Sequence, residues 1–175
     1  MQKQKFGIKR SRATTKPKVV CPEIHFYECE NCKNIIQIIG DPIDTFEYCC
    51  SNRIKRLEPI NAEEMNEKVL IHYRIVGGYN DNAIEVSWKI AEKKDCDSIE
   101  WIYLKTFTGG QVKYVTNPLK TSFIFALADE DAYVYCDEDP CLECTFRCKR
   151  GFEIFAYLKK SGLIKIPIER MQASW

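Results

Sequence analysis

The feature that most restricts the fold of this chain is its cysteine pattern, because ten cysteines stand beside only two histidines in 175 residues. Eight of the thiols fall into two compact groups, Cys29, Cys32, Cys49 and Cys50, and Cys136, Cys141, Cys144 and Cys148. The N-terminal residues lack the apolar segment of a secretory signal, so we expect a reducing, intracellular setting. Clustered thiols in such a setting are more often metal ligands than disulfides.

The first group has the spacing of a metal site. Cys29 and Cys32 form a Cys-x-x-Cys pair, and the adjacent pair Cys49-Cys50 follows a short distance later in the chain. One Cys-x-x-Cys pair alone would also suit a redox dithiol. Two pairs this close supply four soft ligands, enough to complete a tetrahedron around one ion. We therefore predict a single metal bound by these four cysteines, and the sequence leaves iron or zinc open because four thiolates suit both.

Charge is distributed unevenly along the chain. Residues 1–18 carry seven basic side chains and no acidic one, whereas the rest has 19 basic against 25 acidic side chains, a net charge of −6. We expect residues 1–20 to be a flexible basic arm. The acidic remainder argues against nucleic acid as a partner, since binding phosphates needs clustered positive charge. No apolar run approaches the ~18 residues needed to cross a bilayer, so we predict a cytoplasmic protein with no membrane partner.

Most of the chain after residue 66 has the pattern of short strands. Runs rich in β-branched and aromatic residues are separated by turn signals: VLIHYRIV (69–76), AIEVSW (83–88), SIEWIYLKTF (98–107), QVKYV (111–115), SFIFALA (122–128) and AYVYC (132–136). This pattern predicts an antiparallel sandwich or barrel. We expect Asp129–Asp131 to be a solvated loop. In residues 152–160, Phe152, Phe155 and Leu158 recur at helical spacing and predict a short amphipathic helix, followed by a strand, LIKIPI.

The first cysteine group and its surroundings resemble a known family. The segment FYECENCKNIIQII, with the later YCC and Leu57, is similar to the desulforedoxin-type domain that opens desulfoferrodoxins. The likeness continues in order through Glu67-Lys68-Val69, Gly77-Gly78-Tyr79, Ile99-Glu100-Trp101 and Tyr135-Cys136, and covers about residues 24–140. It implies an all-β protein, in which a small desulforedoxin- or rubredoxin-like iron domain precedes an immunoglobulin-like β-sandwich. The family resemblance also allows a homodimer.

The resemblance suggests where the chain divides into domains. We expect the metal domain to span 21–58 and the superoxide-reductase-like sandwich to span 67–150. Residues 59–66, rich in Glu and Asn, are interpreted as a linker. Residues 151–175 are interpreted as a short C-terminal extension.

The resemblance breaks at the second metal site of the family. The superoxide reductase iron takes four histidines and one cysteine, whereas this chain has only His25 and His72. Val69, the Trp88–Ala91 stretch, Asp97 and the acids after Cys136 stand where the histidines are expected, so Cys136 alone is matched. We expect both histidines to be partly exposed strand residues rather than ligands. No catalytic residue is assigned, and whether the chain is an enzyme stays open.

The second cysteine group predicts a further site. Cys136, Cys141, Cys144 and Cys148 place four thiols in one short segment, which would satisfy a zinc ion or an iron–sulfur cluster. The family resemblance brings the loop before Asp97 close to Cys136, so Cys96 is a candidate to share this site. The alternative is a set of free, partly buried cysteines.

These residues predict a function as well as a fold. We expect one-electron transfer through a mononuclear iron at the first group, with a redox protein as partner. Two alternatives stay open. One is a divergent superoxide reductase or other oxidoreductase at a rebuilt second centre, and the other is a zinc-stapled interaction module.

Overall fold

The structure of the chain, a computed structural model, describes residues 21–43, 49–50, 53–65, 69–77, 82–90, 97–132, 149–169 and 172–174. More than half of the described residues are in strands and very few are in helices, which confirms the all-β prediction. The strands are β1 (Ile24–Cys29), β2 (Ile35–Ile39), β3 (Ile54–Arg56), β4 (Ile60–Asn61), β5 (Val69–Val76), β6 (Ala83–Ile90), β7 (Ile99–Lys105), β8 (Gly110–Tyr114), β9 (Ser122–Ala126), β10 (Glu153–Leu158), β11 (Gly162–Pro167) and β12 (Gln172–Ser174). Two single-turn helices, a 3-10 helix at Ala62–Met65 and α1 at Asp129–Ala132, complete the described elements, and neither could cross a membrane.

The strands form three sheets. A small sheet has the order β2-β1-β3, a five-stranded sheet has the order β4-β11-β10-β7-β8, and a four-stranded sheet has the order β12-β5-β6-β9. The two larger sheets enclose the main core, which includes Ile71, Ile84 and Phe125 on one side and Ile102 and Ile154 on the other. The strand predicted from VLIHYRIV is confirmed as β5, in which the residues alternate, with Val69, Ile71, Tyr73 and Ile75 buried. This alternation is what a strand covered on one face requires.

The prediction of a helix over residues 152–160 is wrong. Residues Glu153–Leu158 form β10, which lies between β7 and β11 in the five-stranded sheet. Ile154 and Leu158 point into the main core, while Phe155 and Tyr157 point to the other face and pack against the small sheet. The sequence of a strand covered on both faces is a nearly continuous apolar run, and its periodicity does not distinguish it from a buried helix. The strand predicted from LIKIPI is confirmed as β11.

The segments interpreted as a linker and a C-terminal extension both contribute strands. β4, from the expected linker, pairs in parallel with β11 through Ile60 and Ile164. β10 and β11 occupy inner positions of the five-stranded sheet, and β12 pairs with β5 at the edge of the other. The sandwich therefore includes strands from residues 60–61 and from beyond residue 150.

The small sheet lies against the outer face of the five-stranded sheet. An aromatic cluster joins them, with Phe26 of β1 at its centre. The ring centroid of Phe26 is 5.1 Å from that of Trp101, 5.4 Å from Phe155 and 5.5 Å from Tyr103. The side-chain amide of Gln37 also donates a hydrogen bond to the Tyr103 hydroxyl at 3.1 Å. These contacts fix the position of β1, which carries the first cysteine of the predicted metal site.

Asp131 is not part of a solvated loop, so that prediction is wrong for this residue. Its side chain is 9% exposed. It accepts hydrogen bonds from the hydroxyls of Thr106 at 2.7 Å and Thr108 at 2.6 Å, and from the backbone N–H groups of Phe107 and Thr108. A buried carboxylate with four donors organises the turn between β7 and β8. Short-range sequence patterns carry no sign of this role, because the donors belong to a different segment of the chain.

Candidate metal centre

The structure brings the first cysteine group together at one end of the small sheet. Cys29 ends β1, Cys32 lies in the following turn, and Cys49 and Cys50 come from a second segment of chain. The four sulfur atoms all lie within 4.8 Å of one another. The sulfur of Cys49 is 3.3 Å from that of Cys32 and 3.9 Å from that of Cys50. Two separate segments of the chain therefore present four thiols to one point.

A tight turn makes the first pair convergent. The backbone N–H of Lys33 donates to the carbonyl of Cys29 at 3.0 Å, and the N–H of Cys29 donates to the carbonyl of Asn34, also at 3.0 Å. Lys33 has a φ of +60°, in the left-handed region where a residue with a β-carbon carries a cost. This conformation reverses the chain directly after Cys32. Both sulfurs of the pair are thereby turned to the same side.

The vicinal pair depends on a second left-handed residue. In an extended strand the side chains of Cys49 and Cys50 would point to opposite sides. Cys50 instead has a φ of +56°, and its sulfur turns toward that of Cys49. Non-glycine residues in this region cluster at functional sites, where the surrounding structure imposes them. Lys33 and Cys50 are the two non-glycine residues with positive φ in the described chain, and both belong to this site.

The pKa values of the clustered thiols indicate that a cation is needed for all four to ionise. The pKa of Cys32 is lowered to about 7, chiefly by a hydrogen bond from the Asn34 backbone and then by one from Cys49. The pKa of Cys49 is raised to about 12, chiefly by its hydrogen bond to Cys32 and next by that to Cys29. The pKa of Cys50 is raised as well, first by its hydrogen bond to Cys32. One thiolate forms readily and opposes ionisation of its neighbours, so all four ionise together only around a positive ion.

The donor set and its spacing fit a tetrahedral thiolate metal. Four sulfurs bound at about 2.3 Å to one ion lie about 3.8 Å apart. The distances from the Cys49 sulfur to those of Cys32 and Cys50, 3.3 and 3.9 Å, bracket that value. Cys29 is fully buried, while Cys32 and Cys50 are exposed. Cys29, Cys32, Cys49 and Cys50 could thus hold a metal at the protein surface, with the identity of the metal open between iron and zinc.

The described positions that stand where the family keeps histidines are used for other purposes. Val69 and Trp88 are core residues, 2% and 5% exposed. Asp97 is also buried, and its carboxylate accepts hydrogen bonds from the backbone N–H groups of Lys160 at 2.8 Å and Ser161 at 2.7 Å. Burial opposes ionisation of Asp97, but the hydrogen bonds from Ser161, Lys160 and Ser98 outweigh it and lower its pKa. Asp97 therefore fastens the β10–β11 turn to the start of β7.

The two histidines lie far apart in the fold. His72 is half-buried in β5, opposite Ser87 of β6 and Ser174 of β12, as predicted for a strand residue. His25 differs from its prediction, because it is 7% exposed rather than partly exposed. The guanidinium of Arg56 lies 3.1 Å from its Nδ1 atom. Neither histidine belongs to the four-cysteine cluster.

The residues of the predicted second site lie outside the described residues: Cys96, Cys136, Cys141, Cys144 and Cys148. A metal at this second site therefore stays a prediction. The basic arm 1–20 and Lys68 also lie outside the described residues. Cys21 is described and separate from the cluster, and its thiol donates to the carbonyl of Phe107 at 3.4 Å.

Comparison with known proteins places the fold but not the function. The superoxide reductase from Treponema pallidum has a similar structure, with a TM-score of 0.53 and 16% sequence identity over 83% of this chain and 98% of that one. No family model matches the sequence, and a search of characterised proteins finds no match. A likeness at so low an identity establishes a shared fold. The resemblance seen in the cysteine motif is thus supported at the level of architecture.

Proposed function

We propose that this chain is an iron protein that transfers single electrons through a tetrathiolate centre at Cys29, Cys32, Cys49 and Cys50. The observation that carries the proposal is the convergence of four sulfurs within 4.8 Å. Bound iron would supply a one-electron ferrous–ferric couple there. The similar fold of a superoxide reductase supports iron over zinc. We place this activity in the cytoplasm, where thiols stay reduced.

The arrangement favours electron transfer over catalysis. Four protein thiolates fill a tetrahedral shell and leave no open position for a substrate. The site also lies at the surface, because Cys32 and Cys50 are exposed while Cys29 anchors the cluster to β1. A partner docked over Cys32 and Cys50 would approach within a few ångströms of the sulfurs. The proposed partner is a redox protein that covers this end of the small sheet.

The small sheet keeps the ligands in place. β1 is its central strand, bonded to β2 and β3 on either side. The Cys29 sulfur lies 3.6 Å from the Cys49 carbonyl, and the backbone of Leu57 donates to the carbonyl of Phe26 at 2.8 Å. Ligands held by a sheet change position little when the charge of the site changes. Such rigidity suits electron transfer, since it limits the reorganisation that each transfer requires.

Metal analysis with a visible spectrum tests the proposal. We expect protein purified without oxygen to contain at least one iron per chain, with a thiolate-to-iron absorption that bleaches on reduction. Cys32→Ser should abolish that band, while Cys21→Ser, a matched thiol outside the cluster, should keep it. Zinc alone in iron-replete cells would replace this proposal with the zinc-stapled interaction module. Metal-free protein would point to a dithiol.

A further inference from the structure

A second site is suggested by a cavity between the small sheet and the five-stranded sheet. Its volume is about 500 Å³, within the usual range for small-molecule sites. The strands β1 and β3 contribute one wall, and the outer face of the five-stranded sheet contributes the other. The cavity is bordered by apolar side chains as well as charged ones, among them Phe26, Phe155 and Leu163. It is separate from the four-cysteine cluster, none of whose members lines it.

Positive charge on the sheet wall exceeds negative charge. Lys105 of β7 lies directly opposite Glu153 of β10, and Lys165 of β11 lies opposite Phe155, two residues further along β10. The Glu153 carboxylate contacts the Lys105 ammonium at 3.0 Å and the Lys165 ammonium at 2.5 Å. These two cations lower the pKa of Glu153 against the effect of its burial, so Glu153 is ionised. Two ammonium groups thus share one carboxylate, and the Lys165 ammonium also lies 5.6 Å from the centroid of the Phe155 ring, so the three charged groups together carry one net positive charge.

The two lysines differ in their contact with water. Lys105 is 15% exposed and Glu153 is 19% exposed, whereas Lys165 is 41% exposed. A charge withdrawn from water is costly unless an opposite charge accompanies it. Each ammonium has three N–H donors, and Glu153 takes one from each. Unused donors and excess positive charge therefore meet at the same wall.

The opposite wall adds further donors. Arg56 lines the cavity, and its nearest carboxylate is that of Glu58, at 3.3 Å and 73% exposed. His25 also lines the cavity, and its buried Nε2 atom lacks a hydrogen-bond partner within the part of the chain that the structure describes. The Glu23 carboxylate lies 3.4 Å from Nε2, which is longer than an ordinary N–H···O hydrogen bond. On this wall an anion would meet the Arg56 guanidinium, and also the Glu23 carboxylate, which lines the cavity as well.

We infer that this cavity binds a small oxyanion, the carboxylate or phosphate group of a small molecule, on Lys105 and Lys165. An oxyanion matches the site because it offers several acceptor oxygens and the missing negative charge. Phe155 and Leu163 would contact an apolar body attached to that group. Glu153 positions the two lysines and opposes the anion. The inference does not depend on the metal or on electron transfer.

Calorimetric titration of the metal-loaded protein tests the site at constant ionic strength. Inorganic phosphate and benzoate are the two probes, and they separate a phosphate site from a carboxylate site with an apolar body. We expect saturable binding of at least one probe at millimolar concentration or below. Absence of saturable binding by both probes would overturn the inference.

Charge variants give a test in which the two signs must differ. Lys165→Met keeps the aliphatic stem and should weaken binding about tenfold, whereas Glu153→Gln should strengthen it several-fold by removing the repelling charge. Lys89→Met is the control, because Lys89 is an exposed residue of β6 outside the cavity. Equal affinities for Lys165→Met and Lys89→Met, or weaker binding by a folded Glu153→Gln variant, would contradict the assignment. If Lys165→Met fails to fold, the wild-type and Glu153→Gln titrations still decide.

Discussion

The small sheet and the sandwich hold their shapes in different ways. Among the residues that the structure describes, the sandwich has a core of 21 buried residues, most of them from its two sheets. In the described part of the small sheet, Phe26 and Tyr27 are the buried aromatic residues, and Ile24, Ile35 and Leu57 are partly buried beside Phe26. So few apolar residues stabilise a three-stranded unit poorly in water. We therefore expect the small sheet to be stabilised mainly by the cysteine cluster and the aromatic contact, whereas the sandwich is stabilised by its core.

Loss of one metal ligand should produce the largest difference in stability between the small sheet and the sandwich. Cys50→Ser removes a thiolate and leaves three ligands on a strained turn, so we expect loss of most of the bound metal and unfolding of β1–β3. The sandwich should stay folded. Hydrogen exchange measures this, with protection lost in β1, β2 and β3 and kept in β7. The control is Cys21→Ser, and full metal with unchanged exchange in Cys50→Ser would refute the tetrathiolate assignment.

Removal of the aromatic contact should have the next largest effect. Phe26→Ala deletes a ring that is 4% exposed and touches three other rings, so we expect a loss of about 3 kcal/mol in the free energy of unfolding. Chemical denaturation of the metal-loaded protein measures it. Ile39→Ala, which truncates a side chain that is 65% exposed, is the control and should change stability by less than about 0.5 kcal/mol. Similar losses in both variants would mean that the two sheets do not depend on this contact.

Acid should weaken the sandwich through Asp97. The folded pKa of Asp97 lies below its usual value, so its contribution is present above the unfolded pKa, about 3.9, and is lost as the pH falls through the folded value. We expect Asp97→Asn to cost about 2 kcal/mol at pH 7, the scale of hydrogen bonds to a charged group. The cost should shrink below about pH 4. Urea unfolding across pH checks this, with the exposed Asp41→Asn as control, and a pH-independent difference would contradict the role given to the carboxylate.

The smallest expected effect concerns superoxide. At or near the positions where the resemblance leads one to expect histidines, the described residues Val69 and Trp88 are core residues and Asp97 is a structural carboxylate. We therefore expect no rapid oxidation of ferrous protein when it is mixed with superoxide in a stopped-flow instrument. A near-diffusion-limited reaction would show that the sandwich carries a catalytic iron on other ligands.

Sequence alone predicted the grouping of the four thiols better than it predicted the backbone that brings them together. The spacing of Cys29, Cys32, Cys49 and Cys50 was enough to indicate one site, because few other structures need two thiol pairs so close. It did not indicate the left-handed residues, since Lys33 and Cys50 are not glycines. Propensity assigns such conformations to glycine, and a functional site can impose them elsewhere.

In the fold too, features set by neighbouring residues in the sequence were predicted, and features set by contacts between distant segments were not. Alternation predicted β5, whose one face is buried. It failed for β10, because Phe155 and Tyr157 are covered by a sheet that comes from the opposite end of the described chain. The ion pairs of Glu153 with Lys105 and Lys165 were missed for the same reason. Strand pairing creates them, and short-range patterns carry no sign of it.

The most direct test of the account is a redox titration of the anaerobic protein followed by electron paramagnetic resonance. We predict a high-spin ferric signal that disappears and returns in a single one-electron step, and that is absent from Cys50→Ser but present in Cys21→Ser. A signal that persists in Cys50→Ser would place the iron elsewhere in the chain. Protein without any redox-active signal, despite a full complement of metal, would contradict electron transfer at this centre.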